Sequence, residues 1–144
     1  MATAVAATVA LAPLGATPAQ AVTAKETKLA KLVNGYRAAK GKKKLKVKPT
    51  LTKFAHAHSQ AMSEDGEWYH STTPQLYDYM EAANCTVVGE NVGSHPGTVT
   101  DIHKAFKAST PHRKTMLKKA WKKMGVGVVV GDDGWIYATE IFCG

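Results

Sequence analysis

The chain is poor in acid and nearly devoid of cysteine, and each shortage narrows what it can be. Asp and Glu number 11 against 19 Lys and Arg, which leaves a formal charge of +8 and selects anionic partners. Cysteine occurs only at Cys85 and Cys143, without metal-site spacing, so a cysteine-based zinc framework is excluded. There is no His-Glu-x-x-His run and no Gly-x-Ser-x-Gly turn, the usual sequence marks of a zinc peptidase and of an α/β-hydrolase. Beyond residue 21 no apolar stretch is long enough to cross a bilayer, and residues 1–21 carry no charge at all.

That uncharged opening is made of small and apolar residues and closes in Pro18-Ala19-Gln20-Ala21, the Ala-x-Ala pattern of a secretory cleavage site. It reads as a signal peptide, residues 1–21, although the basic residues that usually begin such leaders are missing. Pro13, Gly15 and Pro18 interrupt the run and argue against a membrane anchor. Residues 22–144 then form one domain, secreted and extracellular. In an exported chain, Cys85 and Cys143 suit a single disulfide closing a loop of nearly sixty residues. Such a bridge stabilises by about 3 to 4 kcal/mol on a loop-entropy basis.

Lysine concentrates at Lys40, Lys42, Lys43, Lys44, Lys46 and Lys48, and again at Lys114, Lys118, Lys119, Lys122 and Lys123. Outside a cell the available polyanions are lipid headgroups and acidic wall or surface polymers. Aromatic residues are not interleaved with the first cluster as a single-strand binder requires, which argues against nucleic acid.

Thr23-Ala24-Lys25-Glu26 is a capping box that opens a first helix to about Lys40, and Gly41 stops it. Leu45 and Val47 alternate in a short edge strand or loop. Pro49-Thr50 opens a second helix to Glu64-Asp65-Gly66; its apolar stripe is Leu51, Phe54, Ala55, His58 and Met62. His58 is therefore expected as a hydrogen-bonded core residue, and His56, about 160° around the helix, at the surface. A short helix started by Thr72-Thr73-Pro74 and running through Gln75 to Ala83 is followed by a strand over Val87–Val92 and a loop over Gly93–Gly97. A third helix begins at Thr98 and ends near Ser109, because Pro111 disfavours helical geometry at Thr110. A fourth runs from Arg113 to about Lys122. The strands Met124–Val130 and Trp135–Phe142 flank the turn Gly131-Asp132-Asp133-Gly134 as a hairpin. This order gives an α+β, three-layer αβα sandwich with a small, mainly antiparallel central sheet.

Within that frame Glu90 is the unusual residue. Alternation places it on one strand face between Val88 and Val92, and a carboxylate among valines needs partners. His70 and His112, about equally far before and after it, are the natural ones. Two imidazoles and one carboxylate can bind zinc or another divalent cation, act as general acid and base, or form a polar cluster that fixes the fold. Ser71 and Ser109 sit near the histidines, but neither is in a nucleophile turn.

Leu32-Val33-Asn34-Gly35-Tyr36-Arg37, Ala55-His56-Ala57-His58-Ser59-Gln60-Ala61-Met62, His70-Ser71, Gly89-Glu90-Asn91-Val92, Pro111-His112-Arg113 and Met124-Gly125-Val126-Gly127-Val128 follow one another in the order of the CAP superfamily. The chain resembles this family, also called SCP/TAPS, over essentially all of residues 22–144. The resemblance implies a secreted αβα sandwich whose cleft is lined by two histidines and two acids, with His70, Glu90 and His112 as three of the four. The fourth position departs: Ser109 stands where many eukaryotic members have glutamate, as in a shorter bacterial branch. Glu140 stands where members often have glutamine and, if buried, needs a cleft histidine or a lysine as partner. The resemblance further implies binding of a lipid or other small hydrophobic ligand, or of polysaccharide in the presence of metal. Its alternative is a metal-assisted extracellular hydrolase of protease type.

Overall fold

The computed structural model describes residues 21–144, so all of the expected leader except Ala21 lies outside the described residues. In chain order the elements are α1 (Ala24–Ala39), β1 (Lys46–Val47), α2 (Pro49–Asp65), α3 (Thr73–Ala83), β2 (Val88–His95), α4 (Val99–Ala108), α5 (Thr110–Leu117), β3 (Lys123–Val130) and β4 (Ile136–Cys143). Among the described residues no helix is long and apolar enough to cross a membrane.

The strands form one sheet in the order β1-β3-β4-β2, with β1 parallel to β3 and the other pairs antiparallel. Alternation along β4 divides its side chains between two layers. Ile136, Ala138 and Phe142 join Leu29 and Val33 of α1, Ile102 and Phe106 of α4 and Met116 of α5 in one core. Ile141 and Cys143 face Leu51 and Ala55 of α2 and Tyr79 and Ala83 of α3. This is the αβα sandwich expected from the order of elements. Cys85 and Cys143 form a disulfide with Cα atoms 5.6 Å apart, tying the end of β4 to the segment that enters β2.

The capping box of α1 forms, with Thr23 and Glu26 bonding reciprocally. Glu26 has a second task that the helix pattern does not reveal. It is buried, and its Oε1 lies 2.6 Å from His56 Nδ1, joining α1 to α2. His56 is accordingly half-buried rather than at the surface. His58 is a core residue as expected, its Nε2 2.8 Å from the Tyr69 carbonyl. Two elements have other bounds than expected. The strand β2 continues to His95, pairing with Ile136, where loop residues were expected. The last helix begins at Thr110, using Pro111 in its first turn, and stops at Leu117, so Trp121 lies beyond it.

Candidate functional site

The Gly89-Glu90-Asn91 run of β2 organises the site, because successive residues of a strand face opposite layers. Glu90 pairs across the sheet with Ile141 and points to the α2/α3 side. Asn91 pairs with Glu140 and points to the α4/α5 side. A Cβ on Gly89 would stand 2.6 Å from Trp121 Cζ2, so its missing side chain lets Trp121 lie against the strand. The segment around Trp121 is fixed in turn by the indole N–H, which donates to the Thr115 carbonyl at 2.6 Å.

On the first side, the buried Glu90 carboxylate accepts three hydrogen bonds. Its Oε1 is 2.8 Å from His70 Nδ1 and takes the Ser71 backbone N–H at 2.9 Å; its Oε2 takes the Ser71 hydroxyl at 2.5 Å. Ser71 Oγ also lies 3.0 Å from the Tyr79 hydroxyl. The Glu90 side chain is 3% exposed and that of His70 58%, so a sealed carboxylate holds an open imidazole from behind. Ser71 therefore directs its proton to a carboxylate, not to a histidine. That is the geometry of a structural hydroxyl rather than a nucleophile. Burial pushes the Tyr79 phenol above its ordinary value, the Ser71 contact working the other way.

On the second side, Asn91 Nδ2 donates to the His112 carbonyl at 3.1 Å and to Glu140 Oε2 at 2.9 Å. This amide docks the first turn of α5 on β2 and so brings His112 to the edge of the sheet. The His112 ring packs on Phe106, centroids 4.8 Å apart, and its buried Nδ1 makes no hydrogen bond of good geometry. Burial holds the imidazole below its ordinary value; the nearby His70 adds to the effect and the Val92 backbone opposes it. The two histidines are thus held from opposite faces of the edge strand β2. His112 does not touch Glu90: the carboxylate binds one histidine directly, and the neighbouring amide places the other.

Among the described residues no three His, Cys, Asp or Glu side chains converge as a ligand set. Three acceptor positions of Glu90 are already used by His70 and Ser71. What the site offers a cation is an imidazole backed by a carboxylate, with a second imidazole nearby. Ser109, at the position of the missing acid, forms the junction between α4 and α5.

Glu140 is fully buried on the α4/α5 side, and its one partner among the described residues is Asn91, not a histidine or a lysine as the sequence suggested. Its Oε1 has no hydrogen-bond partner among the described residues. Burial pushes its carboxyl up to about 7, against the lowering effect of Asn91. Sequence reasoning did not find Asn91, although alternation alone places it back to back with Glu90.

The αβα sandwich and the Cys85–Cys143 disulfide, with His70 and His112 held from opposite faces of the edge strand β2, define the class of domain. Residues 30–143 match the model of the cysteine-rich secretory protein family, CAP, and the chain belongs to that family. YkwD, an uncharacterized protein of Bacillus subtilis strain 168, is 32% identical over 127 residues, covering 85% of this chain and 48% of that protein. The chain thus spans about half the length of this relative. An outer surface protein of Borrelia burgdorferi superposes with a TM-score of 0.75 at 17% identity, covering 86% of this chain and 95% of that one. An extracellular protein containing an SCP domain from Bacillus anthracis strain Ames superposes with a TM-score of 0.69 at 22% identity, covering 83% and 40%. At these identities the likeness is one of fold.

Proposed function

We propose that the protein is a secreted binding module that acts at or outside the cell envelope, with the His70, Glu90 and His112 cleft as its ligand site and its lysine-rich faces holding it to anionic material. The hydrogen-bonding of Glu90 supports a positioning role for this residue, with the His70 imidazole left open to a ligand. A general base needs a lone pair aimed at substrate, whereas Glu90 is sealed and accepts three hydrogen bonds that fix His70 and Ser71. The names of the Borrelia and Bacillus anthracis proteins, an outer surface and an extracellular protein, agree with an envelope location.

In this reading zinc or another divalent cation is held by His70 and His112, with Glu90 orienting His70 from the second layer. It would crosslink the two sides of the cleft. Calorimetric zinc titration should then show binding that His112→Ala abolishes and Glu90→Gln weakens by about 10- to 100-fold. Identical isotherms for all three proteins would exclude the cation. The envelope role is tested by co-sedimentation of residues 22–144 with envelope fragments at rising salt. Bound protein should fall steeply as surface charge is screened over about 10 Å at 0.1 M ionic strength. Binding that ignores salt, or no binding, contradicts the role.

A further inference from the structure

The two lysine clusters, far apart in sequence, line one cavity. The parallel pairing of β1 with β3 sets Lys46 beside Lys123, and the Lys46 N–H donates to the Lys122 carbonyl at 3.0 Å. Beside this junction lies a cavity of about 410 Å3 walled by Arg37, Gly41, Lys42, Lys43, Lys119, Trp121 and Lys122. Five of the seven lining residues are cations and none is an acid. The stretches that supply them, residues 27–63 and 102–131, contain no Asp or Glu.

Arg37 makes this more than a group of surface lysines. It is 1% exposed, and its guanidinium donates to three carbonyls: Nε to Lys43 at 3.0 Å, Nη1 to Met116 at 2.5 Å and to Lys118 at 3.1 Å. These bonds fasten the two lysine segments to each other. Yet among the described residues no carboxylate pairs with Arg37, and its Nη2 donates to no protein group. Burial alone lowers its proton affinity. A buried cation without a counter-charge is costly, and gathering four lysines around it adds repulsion. An incoming anion would relieve both.

We propose that this cavity is a phosphate-binding subsite, through which the protein takes hold of a phosphate-bearing polyanion at the envelope. Arg37 supplies a fixed guanidinium whose uncommitted Nη2 can donate to a phosphate oxygen, and Lys42, Lys43, Lys119 and Lys122 supply mobile point charges. Five cations around one cavity suit a multiply charged phosphate ligand better than a single carboxylate. The inference rests on the envelope reading and adds to it a place and a chemistry. The phosphate could be carried by a lipid headgroup or by a soluble or wall-borne polymer.

The test is calorimetric titration of residues 22–144 with inorganic tripolyphosphate at low ionic strength. Lys119→Gln/Lys122→Gln, two exposed changes that leave Arg37 and its bonds in place, should weaken binding by about tenfold or more. Lys28→Gln/Lys31→Gln, with the same loss of charge on another part of α1, should weaken it by no more than about twofold. Equal losses in the two variants, or no binding by the wild type, would overturn the subsite. Phosphatidylglycerol vesicles identify the source: vesicle binding lost in the Lys119/Lys122 variant supports the subsite with a lipid headgroup as its ligand. Vesicle binding retained while tripolyphosphate binding is lost supports it with a polymer. Envelope fragments that sediment the Lys119/Lys122 variant as well as the wild type would overturn the subsite and leave the envelope role standing. Fragments that sediment neither, with tripolyphosphate still discriminating between the variants, would overturn the envelope role and leave a phosphate site.

Discussion

Gly127→Ala is expected to destabilise the protein by more than about 3 kcal/mol, a large part of what holds a domain of this size together. A Cβ at Gly127 would stand 2.1 Å from the carbonyl carbon and oxygen of Ala55, and one at Gly125 would stand 2.2 Å from the carbonyl carbon of Leu51. These are backbone atoms of α2, so no side chain can rotate away and the helix itself must move. Moving it opens the layer in which Leu51, Ala55 and Ile141 pack. It also parts Ser59 Oγ from Thr139 Oγ1, 2.9 Å away, and from the Gly127 carbonyl, 3.2 Å away. Denaturant unfolding measures the loss, and Gly35→Ala is the control, since a Cβ there meets nothing within 4 Å. Equal midpoints for Gly127→Ala and wild type would show that α2 does not lie on β3 as closely as described.

Glu140→Gln is expected to stabilise the protein at pH 8 by about 3 kcal/mol and to have little effect at pH 4. In the fold the carboxyl ionises near pH 7, against an ordinary value of 4.5. Between these values the unfolded chain releases a proton that the folded chain retains. Glu140 therefore weakens the fold progressively from about pH 4.5 to 7, and the penalty is complete above 7. Glutamine keeps an oxygen for Asn91 Nδ2 and carries no charge. The melting temperature of the wild type should thus fall relative to the variant as pH rises through this window. Parallel pH profiles would show that Glu140 is not buried as a single unpaired acid.

Much of the architecture was legible because local chemistry and tertiary structure agree. The Thr23/Glu26 capping box, the stripe Leu51, Ala55, His58, Met62 and the hairpin turn at 131–134 each specify their element without reference to the rest of the chain. What stayed hidden were partners supplied from afar. His56 lies off the apolar stripe of its own helix, and only the docking of α1 brings Glu26 to it. The extension of β2 to His95 depends on β4 lying beside it, which overrides a loop-forming composition. The Glu90 face followed from alternation, but the same alternation sends Asn91 to the other side, where it places His112 and meets Glu140. The roles of Glu90 and Asn91 thus come from one strand read on both faces. The convergence of the lysine clusters was not legible, because it depends on a two-residue parallel pairing.

The proposed ligand site requires His70 and His112 to share one cleft at the edge of β2. Imidazole NMR titration of metal-free protein tests it most directly, comparing wild type with His70→Ala. His112 should titrate below its ordinary value of 6.5, mainly from burial and secondarily from the charge of His70, and should move upward when His70 is removed. A His112 that titrates at the ordinary value and does not respond to the loss of His70 would contradict the cleft.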